Sequence, residues 1–548
     1  MDTRSWASPP ARELHSGSIA PMRREVMTML PSIFPALIQT LLPSVGVASS
    51  SVDLVGYGGD RFGFQTARGD LDGDGEIDVV VTAPHQAGGN AAYVFFGPLP
   101  LDGSTTLDPT EAAVAITGIA GDETGWSVSV GDVLGDRQLD LIIGSPSDNG
   151  GDGAVQVFEG PLMPGEYLTS DATYEVAGAP GQGYAGWSVT AGDFDGDGKD
   201  ELVVGACEDY GDNGAAYLLD VDVAPPANVS NGTAVFFGLG RTGCSVANAG
   251  DFNADGYEEL AVGSHGTARL GLGSWSGAVS LIYGRDVFLP SYDLLNGVPT
   301  TMDIAHIRAE DVGSNFGFDI APAGDLNRDG HDDLLIGAPA LECYDAGCAG
   351  RTRTGRTYVI LGTPDVGLGG GTNRGLWGVN DGSRVADLIY ESTALDDHTG
   401  ISVAGAGYAG KTYSNVTSPI ARANPLTLGY AMMFGTGADF AYVIPYDARP
   451  RLADFPRYEC KFEPEESTCV LTPSSIPPYR TTTRIRLQNL KVGGARFVGA
   501  PQSRFGREVL GAGDLDGDGD NELLFGAPHQ LRFDDAAGDG EAHAFIGE

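Results

Sequence analysis

The chain has 548 residues and carries 74 acidic against 32 basic side chains, a formal net charge of −42. That balance argues against nucleic acid or an anionic membrane surface as a partner, because both repel an acidic protein. Glycine is very abundant at 82 residues, 42% of the chain is hydrophobic and only 19% is charged, so the composition excludes a disordered or mainly helical chain and points to a turn-rich fold with ample core.

At the N-terminus, Met22, Arg23 and Arg24 precede an apolar stretch from Met27 to Val47 that ends Gly46-Val47-Ala48. A basic start, an apolar middle and small residues at the end predict a secretory signal cut after Ala48. The first 21 residues read as an upstream start. Pro31, Pro35 and Pro43 interrupt the run, which disfavours a membrane anchor, and no other stretch approaches 18 apolar residues. The expected organisation is therefore residues 1–48 as extension and signal, and 49–548 as one folded array. Six cysteines suit an oxidising compartment outside the cell. Cys343 with Cys348 and Cys460 with Cys469 could each close a short loop, and Cys207 and Cys244 could bridge neighbouring repeats; six cysteines alone allow fifteen pairings.

Beyond the signal, Val52-Asp53-Leu54-Val55-Gly56 predicts a strand, and Phe62-Gly63 opens a second one that runs into Asp70 to Asp78, Asp-Leu-Asp-Gly-Asp-Gly-Glu-Ile-Asp. The same nine-residue spacing recurs at Asp193 to Glu201, Asp251 to Glu259, Asp325 to Asp333 and Asp514 to Glu522, with a damaged copy at Asp132 to Asp140. The period of roughly 60 residues is too long for helical solenoids and suits four short strands. In the third unit these are Gly186 to Gly192, Leu202 to Ala206, Ala215 to Leu219 and a fourth strand just ahead of the next unit. The first is rich in small residues and glycine, as expected of an inner strand crowded around the axis of a propeller.

A sixth unit is required between Asp325 and Asp514. Gly400 to Gly407 supplies its inner strand, but Tyr408 to Asn415 lacks acidic ligands, so this unit keeps the strand without the loop. An insertion is expected at about 445–482, rich in proline and charge and pinned by Cys460 and Cys469. The last unit has strands near Phe505, at Leu523 to Phe525 and at Ala542 to Ile546, and lacks a fourth. Val52 to Gly56 is spare at the other end. The expectation is an all-β, seven-bladed β-propeller whose N-terminal strand completes the last blade and leaves no open edge.

The loops carry the chemistry. Carboxylate or amide oxygens at the first, third, fifth and ninth places, a turn glycine at the sixth and the main-chain carbonyl of the seventh form an oxygen cage. The candidate ligands are Asp70, Asp72, Asp74, Glu76 and Asp78; Asp193, Asp195, Asp197, Lys199 and Glu201; Asp251, Asn253, Asp255, Tyr257 and Glu259; Asp325, Asn327, Asp329, His331 and Asp333; and Asp514, Asp516, Asp518, Asp520 and Glu522. Oxygen donors without nitrogen or sulfur point to calcium at about five structural sites, ahead of magnesium with its stricter geometry. In the copy at Asp132, Leu134 replaces the third ligand and Arg137 the turn glycine, so no ion is expected there.

Phe62-Gly63, Phe316-Gly317 and Phe505-Gly506, each followed by a cage and then by Gly337-Ala338-Pro339, Gly526-Ala527-Pro528 or the variant Thr82-Ala83-Pro84, resemble FG-GAP repeats. Together they are similar to the seven-bladed propeller at the N-terminus of integrin alpha chains and its bacterial relatives. The resemblance covers Val52 to Glu548. It implies calcium in hairpins on one face, stiffening the ring, and protein ligands on the loops of the other. Only 61 residues separate Asp132 from Asp193, so the inserted adhesion domain of some integrins is not expected, nor are leg domains or a membrane span.

Two motifs are set aside. Arg68-Gly69-Asp70 spells an integrin recognition tripeptide, yet Asp70 is a cage ligand. His85 and His529 occupy equivalent places in the first and last units, where a paired site is conceivable, but repeat-derived structural histidines are the favoured reading. Asn228, Asn231 and Asn415 begin glycosylation sequons. The reading that follows is a secreted or cell-surface calcium-binding propeller that acts as an adhesion module, its loops meeting a protein or a surface polysaccharide. The alternative is an extracellular hydrolase or lyase carried on the same propeller. Neither a nucleophile elbow nor a zinc-protease motif is present.

Overall fold

Four-stranded antiparallel units recur seven times along the chain and are arranged as blades in a ring. The computed structural model describes residues 44–46 and 52–545, interrupted chiefly at 86–90, 102–104, 210–212, 222–225, 267–275, 295–303, 310–312, 342–353, 364–373, 376–385, 393–396, 414–425, 447–457, 472–482, 487–494, 499–502, 517–520 and 529–538. All of these fall in one unit, Leu42–Glu548.

Blade one contains Thr66–Gly69, Asp78–Ala83, Ala91–Phe95 and Val114–Thr117. Blade two contains Ser127–Gly131, Asp140–Ser145, Ala154–Phe158 and Tyr174–Ala177. Blade three follows with Ala185–Gly192, Glu201–Ala206, Ala215–Leu219 and Ala234–Phe237. Blade four has Thr242–Asn248, Leu260–Ser264, Ala278–Ile282 and Ile304–Arg308. Blade five has Ile320–Gly324, Asp333–Ala338, Arg356–Ile360 and Leu388–Glu391. In blade six, Val403–Tyr413 runs straight through the place where other blades form an acidic loop and pairs with Leu426–Gly435, ahead of Phe440–Pro445 and Ala495–Val498.

Blade seven is Glu508–Gly513, Glu522–Ala527 and Asp539–Phe545, and its fourth strand is Val52–Gly58. The chain thus closes its own ring, as the spare strand predicted. The predicted insertion holds one described hairpin, Tyr458–Glu463 with Glu466–Leu471, which sets Cys460 opposite Cys469. Cys343 and Cys348 lie outside the described residues. Cys207 and Cys244 form a disulfide that ties blade three to blade four.

Second strands such as Asp78–Ala83, Glu201–Ala206 and Glu522–Ala527 are buried along their whole length. Each is flanked by paired strands and covered on both faces by neighbouring blades, hence continuous runs such as Val79-Val80-Val81 instead of alternation. Blades approach closely where glycine permits it: a Cβ on Gly526 would overlap the carbonyl oxygen of Gly63, and one on Gly337 that of Gly400. Two places before the inner-strand glycine, every blade carries a non-glycine residue with a left-handed backbone. These are Arg61, Glu123, Tyr184, Arg241, Asn315, His398 and Arg504, with φ between 50° and 63°.

One feature is absent from the four-strand expectation. The connection between the third and fourth strands of a blade lends a short parallel strand to the outer edge of the preceding blade. Gly165–Leu168 of blade two lies on Val114–Thr117, Ser291–Asp293 of blade four on Ala234–Phe237, and Thr483–Arg486 of blade six on Leu388–Glu391. Across the closure, Thr105–Leu107 of blade one lies on Val52–Gly58. Ser44–Gly46, at the end of the apolar run read as a signal, plays the same part on Ala495–Val498 of blade six.

Candidate metal centre

Each acidic loop leaves the end of an inner strand and is folded by its own side chains. The first carboxylate accepts from main-chain N–H groups across the turn: Asp70 Oδ2 from Gly75 at 3.0 Å, Asp251 Oδ2 from Gly256 at 3.0 Å and Asp325 Oδ2 from Gly330 at 2.9 Å. The third and fifth positions form successive Asx turns, with Asp72 Oδ1 accepting from Asp74 N at 3.0 Å and Asp74 Oδ1 from Glu76 N at 2.8 Å. The damaged copy keeps this fold: Asp132 accepts from Asp136 and Arg137. Loop shape therefore survives loss of the third ligand.

The ninth residue returns the chain to the core. Asp78, Glu201, Glu259, Asp333 and Glu522 are all buried, and each accepts from the N–H of the second loop residue, as in Asp78 Oδ2 from Leu71 at 2.7 Å and Glu522 Oε2 from Leu515 at 2.6 Å. Burial, and secondarily the neighbouring loop carboxylates, raise four of them: Asp78 to about 6, Asp333 to about 7, Glu259 to about 8 and Glu201 to about 9. A cation beside them favours the charged form and reverses that shift.

Three sets of carboxylate oxygens converge within 4.8 Å: Asp70, Asp72 and Asp78; Asp193, Asp195 and Asp197; and Asp514, Asp516 and Glu522. Asp518 and Asp520 lie outside the described residues. In the loops at Asp251 and Asp325 the third place is an asparagine. The amide of Asn253 donates to Asp255 at 2.9 Å, and that of Asn327 to Asp329 at 3.0 Å. Of the seventh residues, Tyr257 turns its side chain out of the loop to donate to Asp286, whereas His331 Nδ1 lies 3.1 Å from Asp329 Oδ1 of its own loop. Whether an ion fits can be judged from two atoms: Asp193 Oδ1 and Asn327 Oδ1 are buried without a hydrogen-bond partner. An oxygen-only donor set with orphaned oxygens suits a hard divalent cation.

The opposite ends of the inner strands carry aromatic side chains. Phe64, Trp126 and Trp187 follow the inner-strand glycines of blades one to three and pack in series with tilted rings, centroids 4.9 Å and 4.8 Å apart. All three are half-buried. Ile119 and Leu239, in the connections that lead into the inner strands of blades two and four, are 68% and 47% exposed. His85 lies nearby, its Nε2 accepting from Arg61 at 2.8 Å with Glu123 at 3.7 Å. Burial and Arg61 lower its pKa, so it is a neutral acceptor; His529 lies outside the described residues. Equivalent placement of Trp126 and Trp187 in successive units was the available sequence signal for this ladder.

The FG-GAP repeat pattern matches residues 62–95, 124–158, 185–219 and 316–360. With the seven blades, these matches define an FG-GAP repeat β-propeller. More narrowly, the chain resembles the N-terminal propeller of integrin alpha chains. It is 31% identical over 229 residues to mouse integrin alpha-IIb, 39% of this chain and 20% of that one. It is 28% identical over 221 residues to chicken integrin alpha-V, with 39% and 20% covered, and 27% identical over 268 residues to integrin alpha pat-2 of Caenorhabditis briggsae, with 46% and 20% covered. The matches thus span about a fifth of the length of these relatives.

Proposed function

We propose that this propeller is a secreted or cell-surface adhesion module whose acidic loops hold calcium and whose opposite face binds a protein. Calcium would be held by Asp70, Asp72, Asp74, Glu76 and Asp78 and by the equivalent residues of the other four loops, the seventh residue contributing its carbonyl. Bound calcium supplies positive charge that offsets the loop carboxylates. The residues around it do the rest: the ninth carboxylate anchors the loop to the core, and the Asx turns hold the remaining oxygens in place. The observation that carries the cation reading is the convergence of three carboxylate sets within 4.8 Å, supported by the buried, unpartnered Asp193 Oδ1.

Protein binding is assigned to the face with Phe64, Trp126 and Trp187 because aromatic surface buries much area at small conformational cost. The similarity to integrin alpha chains supports the same reading, as well as export of a folded unit formed by residues 49–548. The test is adhesion of cells or matrix proteins to the immobilised chain. Binding that requires calcium and falls at least tenfold in Trp126→Ala and Trp187→Ala supports the assignment; binding unchanged in both folded variants removes it.

A further inference from the structure

The aspartate that opens an acidic loop is gripped from the next blade. Asp193 N donates to Glu258 Oε2 at 2.9 Å, and Glu258 N donates back to Asp193 O at 3.3 Å. Asp251 is held by Asp332 in the same two-way fashion, at 3.0 Å and 3.1 Å. Asp132 is held by Asp200, at 2.9 Å and 3.1 Å. In each case the gripping residue is the eighth of its own loop, next to the buried ninth carboxylate.

The glycine before each first aspartate makes room for the grip. A Cβ on Gly131 would stand 2.7 Å from Asp200 Oδ2, and one on Gly192 2.7 Å from Glu258 Oε2. Gly324, which faces the loopless blade six, has open space there. At the remaining seams the eighth residue is not acidic. Leu139 packs over Gly69, Ile77 packs over Gly513, and Asn521 donates to Ala406 O at 3.2 Å.

We propose that Glu258 and Asp332 are positioning residues for the cation sites one blade earlier, so that the loops at Asp193, Asp251 and Asp325 form one coupled set while those at Asp70 and Asp514 act alone. This rests on reading the loops as cation sites. The physical reason is direct. The grip fixes both sides of the peptide at Asp193 or Asp251, whose carboxylate is a ligand, and it places a shared negative charge between consecutive loops. Ordering one loop then orders the grip on its neighbour, which lowers the cost of ordering the next.

The test is calorimetric titration of the chelator-stripped full chain with calcium, with circular dichroism to monitor the fold. Glu258→Ala should weaken the Asp193 site, and Asp332→Ala the Asp251 site, each roughly tenfold or more, the usual effect of losing a residue that orients a ligand. The Asp70 and Asp514 sites should keep their affinity in both. Asp200 grips a loop without a third ligand, so Asp200→Ala should lower the melting temperature and cost the Asp193 site less calcium affinity than Glu258→Ala does. Should an alanine variant fail to fold, Glu258→Gln and Asp332→Asn keep an acceptor oxygen and remove the charge, and a smaller loss at the same sites is expected. Wild-type affinities in folded Glu258 and Asp332 variants overturn the coupling. A wild-type chain that binds no calcium instead overturns the cation reading beneath it.

Discussion

Leu54 lies opposite Ala542 across an antiparallel pair, so residues from the two ends of the described chain share one sheet and one core. Both are fully buried. The ring is therefore closed by strand pairing and by packing together, and its integrity depends on a strand supplied from the opposite end of the chain.

Leu54→Ala should destabilise the propeller by about 2–5 kcal/mol, the cost of emptying a well-packed core position. Urea unfolding of the two proteins checks this. A loss below about 1 kcal/mol would mean that closure contributes little.

The Cys207–Cys244 disulfide closes a loop of 37 residues between blades three and four. Loop-closure entropy assigns it roughly 3–4 kcal/mol. The Cys207→Ser, Cys244→Ser double variant should melt lower than the parent, and added reductant should lower the parent's melting temperature more than the variant's. Equal melting of parent and variant would contradict this.

Acid should act through buried histidine. Burial, with Arg308 nearby, pushes His306 down to about 4, and its Nδ1 pairs with Ser280 Oγ at 2.9 Å. The unfolded chain takes the proton near pH 6.5 and the folded chain resists it, so this contribution is lost as pH falls from about 6.5 to about 4. At about 1.4 kcal/mol per unit the total approaches roughly 3 kcal/mol. Asp319, raised to about 6 by burial, works in the opposite direction, gaining stability as pH falls. The informative quantity is thus a difference: His306→Gln should lose less stability than the parent between pH 7 and pH 5. Parallel pH profiles would show that His306 does not contribute.

Local spacing made much of this legible. The acidic loops, the glycines at 63 and 526 and the spare strand at Val52 all sit in short, repeated patterns, and each pattern has one physical reading. The grip escaped because Asp132 and Asp200 are 68 positions apart, and Glu258 beside Glu259 looks like one more surface acid. The parallel edge strands escaped for a different reason. Segments such as Ser291–Asp293 are three residues long and paired on one side only, too short for alternation to show. The left-handed positions are occupied by Arg61, Glu123 and Tyr184, where backbone preference alone would have suggested glycine.

The most direct test of the account is the melting temperature of the purified full chain before and after excess chelator, with metal content measured on the same sample. Bound calcium at several equivalents per chain is expected, with a clear fall in melting temperature when it is removed, restored by calcium and less well by magnesium. A chain that carries no calcium and melts identically in chelator would contradict it.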